Sequence, residues 1–234
     1  MWPIPALEHT IVSVSFSPDA VVCSWIEKAK NGTAPLIMRA YKRYPLTNLE
    51  LTNLVLFNPT VIKKYITSFL HEHSLANAFI GFILHGPTIA EQFVAMPTST
   101  PHRTDFAISN SARSVVWEYR YLYPNDHGQF VFYVYTVPRY LILQYQLLAI
   151  AAQCNLITMT TQTMALLSAY KNIFGTAFRR SQLAVDMMRY NNNIGDIITV
   201  DALRCMVSGT ASIAITDRLY CAATVGLFCS EKID

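Results

Sequence analysis

The stretch TIVSVSFSPDAVVCSW, residues 10–25, holds two apolar runs of alternating spacing joined at Ser17-Pro18-Asp19-Ala20. Alternation with period two puts one set of side chains on each face of a strand, and a Pro-Asp pair between two such runs is turn chemistry. The segment predicts a β-hairpin, with strands at 10–17 and 20–26. A third β-like run, PLIMRAYK at 35–42, follows the Asn31-Gly32 turn signal and makes a three-stranded meander.

Outward from the meander, the period changes. Asn58-Pro59-Thr60 opens VIKKYITSFLHEH, whose apolar residues at 61, 62, 65, 66, 69 and 70 fall on one helical face. AFIGFILHG (78–86) is a continuous apolar run of strand length, as in strands buried on both faces, and TIAEQFVAM (88–96) follows Gly86-Pro87 as its partner in a strand pair. Residues 103–115 read as a helix. VVWEYRYLYP (115–124) and QFVFYVYTVP (129–138) flank an Asn125-Asp126-His127-Gly128 turn and predict an aromatic hairpin.

Arg139 to Gln153 carries Leu141, Tyr145, Leu148 and Ala152 on one stripe, with Leu143, Leu147 and Ile150 beside it, so a broad apolar helix face is expected. ITMTTQ (157–162) predicts a strand and MALLSAYKNIFG a helix closed by Gly175. AFRRSQLAVDMMRYNN and IGDIITVDALRCMVSG fit either helix or strand. DRLYCAATVGLF (217–228) has small residues at helical spacing and predicts a buried terminal helix.

Composition sets the class. Over 234 residues, 52% are hydrophobic and 14% charged, which suits a globular chain with a surface covered by partners. The net charge of +3 is spread thinly, without the basic stripe of a nucleic-acid binder. Five cysteines, Cys23, Cys154, Cys205, Cys221 and Cys229, lie far apart among mostly apolar neighbours and read as free thiols of a reducing compartment. MWPIPALEHT lacks the pattern of a signal peptide. The run Leu141–Met159 is broken by Gln144, Gln146, Gln153 and Asn155, so no membrane insertion is expected and the chain reads as cytoplasmic.

Reactive chemistry finds little support. His71, Glu72 and His73 are metal-ligand types, but residues two apart on a helix point to different faces. Asp186, Asp201, Asp217 and Glu91 have no spacing that ties them into an acid/base pair, and no GxSxG, GxGxxG or GxxxxGK[ST] occurs. In SFSPDAV, Pro18 removes an N–H donor and no glycine allows close approach of an anion, so the hinge predicts a structural turn rather than a phosphate cradle. Trp117, Tyr119, Tyr121 and Tyr123 share one face at strict period two. Phe130 and Phe132 oppose Tyr133 and Tyr135 on the second arm. Such rows pack a core or, left exposed beside a sheet edge, capture a peptide.

The order of these segments, with NPTVIKKYITSFL, FIGFILHGPTIAEQFVAMP, YLILQYQLLAIAAQCNLITMTTQTMALLSAY and RLYCAATVGLF, resembles the PilM-like type IV pilus assembly proteins, which are actin-like and related to FtsA. The resemblance implies an α/β fold with mixed sheets. Residues 1–86 would form the first part of actin-like subdomain 1A, 87–155 an inserted 1C-like α/β subdomain, and 156–234 a return to 1A with a reduced C-terminal segment and terminal helix. It also implies that the second actin-like half is largely missing. The family's Asp-x-Gly followed by Ser or Thr is replaced here by Ser13-Val14-Ser15-Phe16-Ser17-Pro18, which departs from a nucleotide site. In the family, the cytoplasmic N-terminal tail of the membrane protein PilN docks between the two subdomains. The resemblance thus implies a peptide groove here, with Ile83, His85, Gln92, Phe93, Tyr119 and Tyr121 as its expected residues. It makes the chain a non-enzymatic scaffold without a cofactor, able to oligomerise and peripheral to the inner membrane through that partner. The rival expectations are an actin-like ATPase with a divergent loop and a small-molecule enzyme of another class.

Overall fold

A computed structural model describes residues 10–17, 19–28, 36–47, 50–106, 114–174, 207–208 and 223–224. Strands β1 (Thr10–Ser17) and β2 (Ala20–Lys28) pair antiparallel from Thr10↔Glu27 to Ser17↔Ala20, and β3 (Leu36–Pro45) adds antiparallel to β2. The hairpin and the meander are as the alternation predicts. A small hairpin of β4 (Leu51–Thr52) and β5 (Val55–Leu56) leads into helix α1 (Pro59–Glu72). Its turn residues Asn53 and Leu54 both have positive φ, 50° and 69°, the geometry that matches the twist of a two-residue hairpin.

β6 (Phe79–Leu84) then runs parallel beside β1, and β10 (Asn155–Thr161) runs parallel beside β6. The strand β11 (Val207–Ser208) lies parallel to β3. The sheet order is β10-β6-β1-β2-β3-β11. Each face has its own core because β1 alternates. Val12, Val14 and Phe16 join Ile62, Ile66 and Phe69 of α1 and Leu141, Tyr145 and Leu148 of α2 (Arg139–Ala151). Ile11 joins Met164, Ala165 and Ala169 of α3 (Gln162–Phe174) on the other side. At the centre of the first core the rings of Phe16 and Tyr145 meet edge-on at 4.9 Å, and the Tyr145 hydroxyl donates to Leu54 O at 3.0 Å. A buried phenol needs such an acceptor.

β7 (Ala90–Met96), β8 (Val115–Pro124) and β9 (Phe130–Pro138) form a second sheet in the order β7-β9-β8. β6 and β7 therefore do not pair with each other: the strand pair expected at 78–97 divides between two sheets. The helix expected at 103–115 is likewise corrected. Its described part is a single 3-10 turn at Arg103–Asp105, followed by strand from Val115.

Two expectations of side-chain placement differ from the fold. Tyr121 pairs with Phe132 but Tyr123 with Val131, because a bulge at Leu122 inserts one residue and reverses the alternation. Tyr123 is buried in the α3-side core, away from Tyr119 and Tyr121. On α2 the second stripe, Leu143, Leu147 and Ile150, faces solvent instead of widening the buried face. The reduced C-terminal segment falls mostly outside the described residues. The described part of the expected terminal helix, Ala223–Thr224, is helical and buried.

Candidate functional site

Two places bear on function: the tip of the first hairpin and the junction of the two sheets. At the tip, Asp19 O accepts from Leu46 N at 2.7 Å, and the Asp19 carboxylate accepts from Arg43 Nη2 at 2.7 Å. Arg43 is thereby already paired, and the tip offers an incoming anion no net positive charge. Below the tip, the α3-side face of β1 and β2 carries several buried hydroxyl groups. Ser13 Oγ and Thr224 Oγ1 are 2.7 Å apart, and Ser15, Ser24 and Gln162 are buried beside the same core. The Ser15 and Ser24 hydroxyls and the Gln162 amide have no hydrogen-bond partner among the described residues.

At the junction one phenol ties the sheets together. The Tyr133 hydroxyl donates to Glu91 Oε1 at 2.5 Å, which leaves its oxygen to accept from Thr161, 2.8 Å away. Thr161 Oγ1 in turn accepts from Met164 N at 3.2 Å, as an N-cap does, and Thr163 Oγ1 donates to Glu91 Oε2 at 3.0 Å. Glu91 thus lies at the positive end of α3, where a carboxylate is stabilised. Burial, and then the charge of Glu91, push the Tyr133 pKa well above the ordinary phenol value, so the group stays a neutral donor.

Among the described residues β7 is an edge of its sheet, paired on one side with β9. All its residues are exposed or half-exposed, and AEQFVAM contains no Lys, Pro or Gly. Native edges are usually blunted by such residues or covered, because free N–H and C=O groups accept another strand. Phe93 is 40% exposed, with its ring 5.7 Å from that of Tyr133. The edge can therefore offer a backbone ladder and one apolar anchor to an extended peptide.

The six residues singled out in the sequence are distributed over three surroundings. Ile83 is buried in the α3-side core with Tyr133, while His85 is exposed just beyond the end of β6. Gln92 and Phe93 are neighbours on β7 but point to opposite faces. Phe93 shares the Tyr133 face and Gln92 the face of Tyr119 and Tyr121, which are half-buried around Phe132. The Tyr119 ring lies 4.7 Å from Phe106, and its hydroxyl donates to Pro101 O at 3.2 Å. Glu91, which no spacing in the sequence ties to another carboxylate, is exposed on β7 and is bound at the junction by Tyr133 and Thr163. The N-cap position of Thr161 was the one local signal for it.

Other singled residues have structural surroundings. Glu72 pairs with Lys42, and the His73 ring meets Phe69 at 4.7 Å. No cluster of three or more His, Cys, Asp or Glu suited to a metal occurs among the described residues. Cys23 is a buried free thiol and Cys154 a half-buried one, the latter pushed up by burial to about 11. Cys205, Cys221, Cys229, Asp186, Asp201 and Asp217 lie outside the described residues. No described helix is long and apolar enough to cross a membrane.

No family model and no curated protein matches the sequence. Solved structures do match. A chain of a PilM-PilN type IV pilus biogenesis complex superposes with a TM-score of 0.56 at 13% identity, covering 72% of this chain and 51% of that one. The cytoplasmic domain of EpsL, an inner-membrane component of the type II secretion system of Vibrio cholerae, gives 0.41 at 9% identity, covering 67% of this chain and 57% of that one. A Bacteroides thetaiotaomicron protein with an actin-like ATPase fold gives 0.37 at 9% identity, covering 73% of this chain and 59% of that one. The chain spans about half the length of the pilus-complex chain that it matches. Its meander, extended by two parallel strands and covered by helices on both faces, shares its fold with the pilus-complex chain.

Proposed function

We propose that this chain is a non-enzymatic cytoplasmic adaptor of a type IV pilus or related secretion assembly. It holds the cytoplasmic N-terminal tail of a PilN-like inner-membrane protein and reaches the membrane through that partner. The likeness to a chain of a PilM-PilN complex supports the partner class. The observation that carries the reading is the open edge of β7 beside the sheet junction. A tail entering as an added strand takes its backbone bonds from the alternate residues of β7 whose N–H and C=O face away from β9, and packs a side chain on Phe93. His85 flanks that end of the groove. Ile83 supports it from within, and Tyr119 and Tyr121, roughly 10 Å away at two strand spacings, stiffen the sheet. Titration of labelled synthetic peptides covering PilN-like tails, followed by fluorescence anisotropy, tests this. Phe93→Ala is expected to weaken binding by about tenfold or more, and a tail that binds equally well without Phe93 contradicts the site.

The unpartnered Ser15, Ser24 and Gln162 groups favour a second reading, an actin-like nucleotide binder with a divergent loop. The Asp19 carboxylate at the hairpin tip weighs against it. A ligand bound to the folded state alone must raise the melting temperature. The adaptor reading expects no shift in millimolar magnesium-ATP, and a clear shift would put the second reading first.

A further inference from the structure

Helix α2 has two apolar stripes and buries one. Tyr140, Leu143, Leu147 and Ile150 stand 48 to 70% exposed. From Tyr140 to Gln153 the helix and its end carry no Lys, Arg, Asp or Glu. An open groove of about 390 Å³ runs alongside, lined by Leu56, Pro59, Lys63, Gln144, Leu147 and Ala151. At ~200 Å² for a large side chain, the four exposed residues present on the order of 500 Å² of surface, toward the upper end of what a monomer shows. A standard interface takes about 800 Å² per partner, so this patch supplies most of one.

The spacing of the stripe suits a second copy as its occupant. Residues 140, 143, 147 and 150 are symmetric about position 145, so two antiparallel copies of α2 related by a twofold axis that crosses the exposed face at that level match Tyr140 with Ile150 and Leu143 with Leu147. A ridge and a groove on the same face are what a self-matching helix contact requires. The uncharged stripe brings no like charges together. We propose that the exposed face of α2 joins two copies of this chain in an antiparallel, twofold helix contact. This surface shares no residue with the β7 edge, and its fate is independent of the tail site.

Sedimentation equilibrium of the full chain, from micromolar to hundreds of micromolar concentration, tests the proposal. The expected result is the dimer mass, with dissociation at least ~100-fold easier in Leu147→Glu and in Leu143→Glu. The monomeric variants should keep the circular-dichroism spectrum and cooperative melting of the unsubstituted chain, with a melting temperature that no longer rises with protein concentration. A mixture of Leu143→Cys and Leu147→Cys chains should form an inter-chain disulfide under mild oxidation faster than either variant alone or the unsubstituted chain. A monomer at every concentration overturns the proposal, as does a dimer indifferent to both glutamates. A monomer that sediments with phosphatidylglycerol vesicles through Leu147 also overturns it and assigns the face to a lipid surface.

Discussion

Tyr133 on β9 and Thr161 at the start of α3 lie hydroxyl to hydroxyl at 2.8 Å, and the same phenol donates to Glu91 on β7. One side chain therefore fixes the small sheet to the large one and sets the walls beside the β7 edge.

Tyr133→Phe removes both bonds and leaves the ring packed. Thr161 keeps its capping bond to Met164 N and Glu91 keeps Thr163, so the loss is that of buried hydrogen bonds alone, about 1–3 kcal/mol. Urea unfolding measures it. A change under about half a kcal/mol would mean the network does not hold the junction.

Alkaline pH should weaken the fold from the same groups. Burial raises the pKa of Tyr133, Tyr145 and Tyr135 above the ordinary value, with Glu91 adding to it at Tyr133 and the bond to Glu118 at Tyr135. Folded values above the unfolded one mean that the native state holds protons longer. The stabilisation is full below the unfolded tyrosine value of about 10 and is lost as pH rises past it. Unfolding free energy should fall between about pH 9 and pH 11, and Tyr145→Phe should flatten part of the slope. A pH-independent free energy over that range would show that these phenols ionise freely in the fold.

The Ser13–Thr224 contact should behave as a coupled buried pair. Thr224→Val leaves the Ser13 hydroxyl without this bond at about 1–3 kcal/mol, and the double variant with Ser13→Ala loses less than the two single costs added. Additive losses in the double-mutant cycle would show that the two hydroxyls do not stabilise each other.

Strand period and helix spacing made most elements legible, because both are local properties of the chain. The parity of β1 even separates the two cores, Val12, Val14 and Phe16 from Ile11. The misses arise where a non-local contact decides. Nothing in VVWEYRYLYP marks the bulge at Leu122 that turns Tyr123 inward. Periodicity shows that Leu143, Leu147 and Ile150 form a stripe, but it cannot say whether the chain's own core covers it. Glu91 looked isolated because its partners, Tyr133 and Thr163, are distant in sequence. Of the expected groove, Phe93 and Gln92 were legible as strand residues, but the face that each takes depends on register with β9.

Amide hydrogen exchange with and without a bound PilN-like tail peptide tests the adaptor reading most directly. Strand addition predicts new protection in β7, around Gln92 and Phe93, with little change along α1 and α2. A tail that binds while β7 exchanges as fast as before would contradict the edge-strand site, and absence of binding by every tail tested would contradict the adaptor itself.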